Sequence, residues 1–222
     1  MSSIRVWDTF TRIYHISQLI LLALLWYSAE QADFELHFLC GFVLLSLWLT
    51  RLVWGFIGSD SSRFINFIKS PFDVLTAWRD NTISKPHIGH NPVGGYMVMA
   101  LLIAIGLQVF TGLFASDDVF SEGPLYLAVS DSFASSMDSL HHLNFDILLV
   151  LVGLHALAGI FHVVRGDNVI KAIITGKKRT DKKNLKIVDA KPVQFKGVIL
   201  PLILWGALCV IIYSWGMPAA SY

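Results

Sequence analysis

The sequence predicts an all-α integral membrane protein, a four-helix transmembrane bundle followed by a fifth transmembrane helix. Composition is the first reason: of 222 residues, 55% are hydrophobic and only 15% charged, with a mean hydropathy of +0.60. Soluble domains carry about a quarter charged residues. The second reason is five apolar runs, 13–29, 34–57, 93–115, 140–164 and 198–217, which approach or exceed the ~20 residues that span a bilayer core. The third is charge asymmetry. If the N-terminus defines one side, all 17 Lys and Arg fall on that side or its border, while the opposite loops carry only acids.

The first run follows Arg5 and Arg12 but is long for a signal peptide and lacks a small-x-small cleavage site, so it reads as a retained first span. A short acidic link, 30–35, leads into the second span. The loop 58–92 holds an interfacial helix, Pro71–Arg79, with Phe72, Leu75 and Trp78 at helical spacing. The loop 116–139 is acidic, with Asp117, Asp118, Glu122, Asp131 and Asp138. The loop 165–196 is Lys-rich and reads as solvated or lying against anionic lipid. The basic bias places the N-terminus in the cytoplasm and, after five spans, the C-terminus on the opposite, periplasmic side. Residues 1–178 form the expected transmembrane core domain, and 179–222 the basic loop and fifth helix. No internal repeat is visible, and no nucleic-acid partner is expected.

Chemistry is carried by histidine. Cys40 and Cys209 lie in apolar runs, outside any C-x-x-C-H motif, so covalent c-type haem is excluded and buried free thiols are expected. Ionisable side chains inside a span are costly and mark function. The fourth span carries His141, His142, His155 and His162. At about 100° per residue, His141 and His155 are only ~40° apart around the helix and ~21 Å apart along it. One face thus offers an imidazole near each side of a membrane, the geometry for two stacked haems. By topology His37 can meet His141 near the outer side, and His15 can meet His155 near the inner side. His162, ~20° off the same face, rivals His155 for the inner position. His142 faces elsewhere and suits a bond to Asp146. His87 and His90 fall in a loop; His87 reads as a solvated surface residue. Arg12 and Arg51 are candidates for inner haem propionates and equally for positive-inside anchors, with Tyr126 a candidate at the outer face. Gly41, Gly106, Gly112, Gly153 and Gly159 allow a porphyrin or a helix to approach; Trp7, Trp26, Trp54 and Trp215 suit headgroup anchors.

The chain resembles the bacterial cytochrome b561 family, in the wider group with the b-type cytochrome subunits of nickel–iron hydrogenases and formate dehydrogenases. The resemblance rests on VWDTFTRIYH at 6–15, HFLCG at 37–41 and RLVWGFIGSDSSRFINF at 51–67. It continues in GHNPVGG at 89–95, TGLF at 111–114, LHHLNFDILLVLVGLH at 140–155 and TGKK at 175–178. It implies His15, His37, His141 and His155 as ligands of two b-type haems, favouring His155 over His162. It also brings His90 and Asn91 near the inner haem or a quinone. Ser17, where Trp commonly follows the His, and the fifth span depart from the pattern.

The function implied is transmembrane electron transfer between the quinone pool and a periplasmic redox partner, a c-type cytochrome or a hydrogenase-like protein. Whether it is a quinone-linked oxidoreductase subunit is left open by sequence. Two alternatives belong to other classes. A superoxide:quinone oxidoreductase conflicts with the acidic outer loops, which repel an anion. A histidine-based proton or metal transporter conflicts with histidines grouped in two layers, in place of a continuous path.

Overall fold

The computed structural model describes residues 2–80, 89, 91–116, 121–180 and 193–219. In chain order it has β1 (Ser2–Arg5), α1 (Thr9–Glu30), α2 (Phe34–Ile57), α3 (Phe64–Phe67), α4 (Pro71–Arg79) and α5 (Pro92–Gly112). There follow α6 (Asp131–Val164), α7 (Val169–Thr175), β2 (Lys177–Thr180) and α8 (Ile199–Ala219). The residues group into two compact units. The first comprises Met1–Ile13, Leu52–Ala100 and Leu151–Ile199; the second comprises Tyr14–Arg51, Leu101–Val150 and Leu200–Tyr222.

Among the described residues, α2, α5, α6 and α8 are long and apolar enough to cross a membrane. The chain is therefore an integral membrane protein with an all-helical core. At 22 residues α1 has the length, but His15, Ser17 and Gln18 interrupt its apolar run and set it apart from those four. The second span and the interfacial helix fall where the sequence predicts them, at Phe34–Ile57 and Pro71–Arg79. α6 begins at Asp131 rather than Leu140, because Ser130 caps a stretch without Gly or Pro and the helix outruns the apolar segment. Along α6, Leu143, Ile147, Val150, Leu154 and Leu157 are all exposed at spacings of three and four residues. Such a stripe suits lipid and would be a large apolar patch in water.

The first unit is pinned by Asp8. Its buried carboxylate accepts from the Thr11 amide (2.8 Å), capping α1, and from the Thr11 hydroxyl (2.9 Å), the Ser62 hydroxyl and Trp54 Nε1 (3.4 Å). Trp54 is 2% exposed and packs edge-on against Phe10, so it is a core residue and not the headgroup anchor its position at a span end suggested. Arg12 donates from Nε and Nη2 to the Ile174 carbonyl at the end of α7. There Gly176 takes φ +76°, the left-handed turn that closes a helix without a Cβ penalty. Its carbonyl receives the Val6 and Trp7 amides, which leads β1 into an antiparallel pair with β2, from Ser2 opposite Thr180 to Arg5 opposite Lys177. This small sheet was not anticipated, since KKRT has no apolar alternation to signal a strand. A part-buried Lys178–Asp167 ion pair at 2.6 Å ties β2 to the residues after α6. The segment before α5 is explained locally: Asn91 Oδ1 caps the Gly94 amide, Pro92 takes the first helical position, and Gly95 lies against the Phe67 carbonyl.

In the second unit, α2 lies between α5 and α8. Trp48 donates to the Leu102 carbonyl of α5 (2.8 Å), over Gly106, where any Cβ would strike the indole. On the α8 side, Ser46 donates to its own helix at the Val43 carbonyl, so its oxygen accepts from the Cys209 thiol at 2.9 Å. Gly216 meets the Phe42 ring. Both cysteines are free, as expected, with Cys40 buried and Cys209 only half-buried.

Asp8→Ala is expected to lower the apparent unfolding temperature in detergent by an amount corresponding to about 2–3 kcal/mol, because it removes a cap and strands buried donors on Thr11, Ser62 and Trp54. Asp8→Asn, which keeps an acceptor, is expected to lose less. Equal melting of Asp8→Ala and the parent chain would show the network to be inconsequential.

Candidate functional site

Two of the predicted site residues meet in the second unit. The rings of His37 on α2 and His141 on α6 have their centres 6.5 Å apart and planes inclined by 70°. A tight hairpin delivers His37. Ala32, at φ +53°, turns the chain between α1 and α2, and Asp33 caps α2 through the Leu36 amide at 3.1 Å. His37 therefore lies beside the last turns of α1. Its Nδ1 is 3.1 Å from the Leu25 carbonyl and 3.1 Å from Ser28 Oγ. A carbonyl can only accept, so Nδ1 carries the proton and Nε2 keeps its lone pair. Ser28 donates its own proton to the same carbonyl at 3.0 Å, which leaves its oxygen as a second acceptor.

His141 is placed by α5. Gly112 allows the approach, since a Cβ there would sit 3.0 Å from Cε1 of the imidazole. Thr111 Oγ1 is 3.0 Å from His141 Nδ1, and Gln108 Nε2 is 3.1 Å from His141 Nε2. The fully buried Asn144, one turn along α6, donates to the Ala104 carbonyl (2.9 Å) and to Gln108 Oε1, which orients the Gln108 amide. Ser28, Gln108, Thr111 and Asn144 were not singled out from sequence. The available signal was their polarity inside apolar runs, with Gln108 and Thr111 three residues apart and Asn144 three residues after His141.

His15 on α1 and His155 on α6 are each half-buried. His162 Nε2 is 3.2 Å from Asn91 Nδ2, so it joins α6 to the capped start of α5 within the first unit. His142 lies 3.8 Å from Asp138, one turn earlier, rather than bonding Asp146. Arg51 is buried, with its guanidinium 5.8 Å from the Tyr14 ring centre. Gly41, one turn past His37, borders open space, as does Gly153, while Gly159 makes an ordinary contact with Ile170. His87, His90, Asp117, Asp118, most of the Lys-rich loop and the Trp78 side chain lie outside the described residues.

The His37–His141 pair suits a metal whose other ligands come from a bound group. With ring centres 6.5 Å apart, both imidazoles are near enough to reach one metal ion. No cluster of three or more His, Cys, Asp or Glu suited to a metal occurs among the described residues. Two imidazoles are a donor pair that haem iron accepts. The open space beside Gly41 is consistent with a planar group there. Ligation at His141 Nε2 requires the Gln108 amide to swing away.

A protein named as a probable Ni/Fe-hydrogenase B-type cytochrome subunit from Bradyrhizobium diazoefficiens is 27% identical over 166 residues, 64% of this chain. A relative of the same name from Azotobacter chroococcum is 26% identical over 160 residues, 63% of this chain. The match spans 65% of the length of each relative. No solved structure matches. The family model of prokaryotic cytochrome b561 matches residues 6–176, which include every candidate ligand. The chain belongs to the prokaryotic cytochrome b561 family.

Proposed function

We propose that the chain moves electrons between the quinone pool and a redox protein on the opposite side of the membrane, through two bis-histidine b-type haems. The observation that carries this reading is the His37–His141 pair, with ring centres 6.5 Å apart and both Nδ1 atoms turned to acceptors. These two residues hold the outer haem. His15 and His155 hold the inner one, as helical phase and the family motif imply. Bound haem iron supplies a reversible one-electron change that makes and breaks no bond. The chain's own part is to orient the imidazoles, keep each Nε2 unprotonated and exclude water with apolar helices. His162, held by Asn91, serves as a helix–helix contact.

In this reading α1 is a fifth span, less apolar than the rest because it carries His15. Residues 1–178 are the haem-binding part, and 179–222 add a basic loop and a helix that covers α2 through Cys209 and Gly216. The N-terminus is cytoplasmic and the C-terminus periplasmic, from the distribution of all 17 Lys and Arg. Arg12 and Arg51 serve the inner propionates. Arg12 spends two donors on the Ile174 carbonyl and has others to offer. On the outer side Glu30, Asp33 and Glu35 are exposed, which favours a cationic partner. A basic c-type cytochrome fits, and the names of the relatives make a hydrogenase-like protein the other candidate.

Reduced-minus-oxidised spectra with haem counted per chain test the ligand set. His37→Ala or His141→Ala is expected to remove one of two haems, His15→Ala or His155→Ala the other, and His162→Ala neither. Loss of the inner haem in His162→Ala but not in His155→Ala would make the ligand set wrong.

Reduction by a basic c-type cytochrome is expected to slow on the order of tenfold between 0.02 and about 0.3 M salt, as screening removes the attraction of the acidic rim. A rate indifferent to salt in stopped-flow measurements would rule that rim out as the docking charge.

A further inference from the structure

We propose that Thr111 is a positioning residue for His141, holding its imidazole in the tautomer whose Nε2 carries no proton and setting the potential of the haem that His141 ligates. The proposal rests on the haem reading above. Thr111 is fully buried, and its hydroxyl has a single proton. That proton faces the carbonyls of Leu107 at 2.8 Å and Gln108 at 3.1 Å, one turn back on α5. The oxygen is then an acceptor, and the group 3.0 Å away, His141 Nδ1, must donate to it. This selects one of the two neutral tautomers, the one whose Nε2 can bind a metal. A hydroxyl that is itself donating is a better acceptor, so the chain from imidazole to hydroxyl to backbone carbonyl pushes electron density toward the iron and favours the ferric state.

The two ligands of this haem are supported differently. His37 Nδ1 faces the Leu25 carbonyl as well as Ser28 Oγ, and no side-chain substitution removes that carbonyl. The acceptor at His141 Nδ1 is a side chain, and its neighbour Gly112 is what lets α5 bring it within reach. Electronic control of this haem is therefore concentrated in Thr111 and is nearly redundant in Ser28.

The test is an optical redox titration of the purified holoprotein and of Thr111→Val, Thr111→Ser and Ser28→Ala. The haem of interest is the one missing in His37→Ala. Thr111→Val keeps the shape and removes the hydroxyl. Its ferric/ferrous equilibrium is expected to move about tenfold toward ferrous, a rise of about 59 mV for one electron. Thr111→Ser is expected to stay at the parent potential, and Ser28→Ala to move by less than half as much as Thr111→Val. An unchanged potential in Thr111→Val, or a shift in Thr111→Ser as large, overturns the proposal. If Thr111→Val holds no haem at that site, Thr111→Ser decides: retention at the parent potential supports the hydroxyl, and loss assigns the residue to packing and overturns it. Retention of both haems in His141→Ala overturns the ligand reading itself, separately from the fate of the Thr111 variants.

Discussion

An imidazole in an apolar bundle must satisfy two ring nitrogens, and the second unit is arranged around that requirement. For His37 the acceptors are the Leu25 carbonyl, shared with the Ser28 hydroxyl, and Ser28 Oγ itself. That carbonyl is within reach only because Ala32 adopts a left-handed turn and folds α2 directly back along α1. For His141 the acceptor is Thr111, and it is within reach only because Gly112 has no Cβ to hold the ring away. Gly106 does the same for Trp48, so α5 approaches α2 at one level and α6 at another. A change at any of these positions would move a ring before it opened the bundle.

Much of the scaffold was legible in the sequence because apolar runs of bilayer length admit little except a helix. The second span and the interfacial helix coincide with their expected bounds, and the His37–His141 meeting follows from helical phase and loop order. What was missed lies where the controlling interaction is non-local or polar. The N-terminal extension of α6 is amphiphilic, so hydropathy cannot mark its start. The β1–β2 pair depends on Gly176 presenting one carbonyl to Val6 and Trp7, a contact between residues far apart in sequence. Gln108, Thr111 and Asn144 look like isolated polar residues until α5 and α6 are set side by side, when they form one chain ending on His141.

The motifs behind the family resemblance divide unevenly between scaffold and chemistry. In VWDTFTRIYH, Val6 and Phe10 are core, Asp8 and Thr11 form the buried cap with Ser62, and Arg12 closes α7. Only His15 in that stretch is a candidate ligand. RLVWGFIGSDSSRFINF supplies Trp54 and Ser62 to the same cap and Phe67 to the contact with Gly95. GHNPVGG, which the resemblance associates with a cofactor, contributes a helix cap at Asn91 and a close backbone approach at Gly95. A cap and a glycine contact tolerate few residue types, because the geometry of one hydrogen bond or one missing Cβ is at stake. A motif of that origin identifies the fold, and a ligand must still be argued from the geometry of its own ring. TGLF is the exception: its Thr111 touches the imidazole and its Gly112 makes room for it, so in that motif scaffold and site are the same two residues.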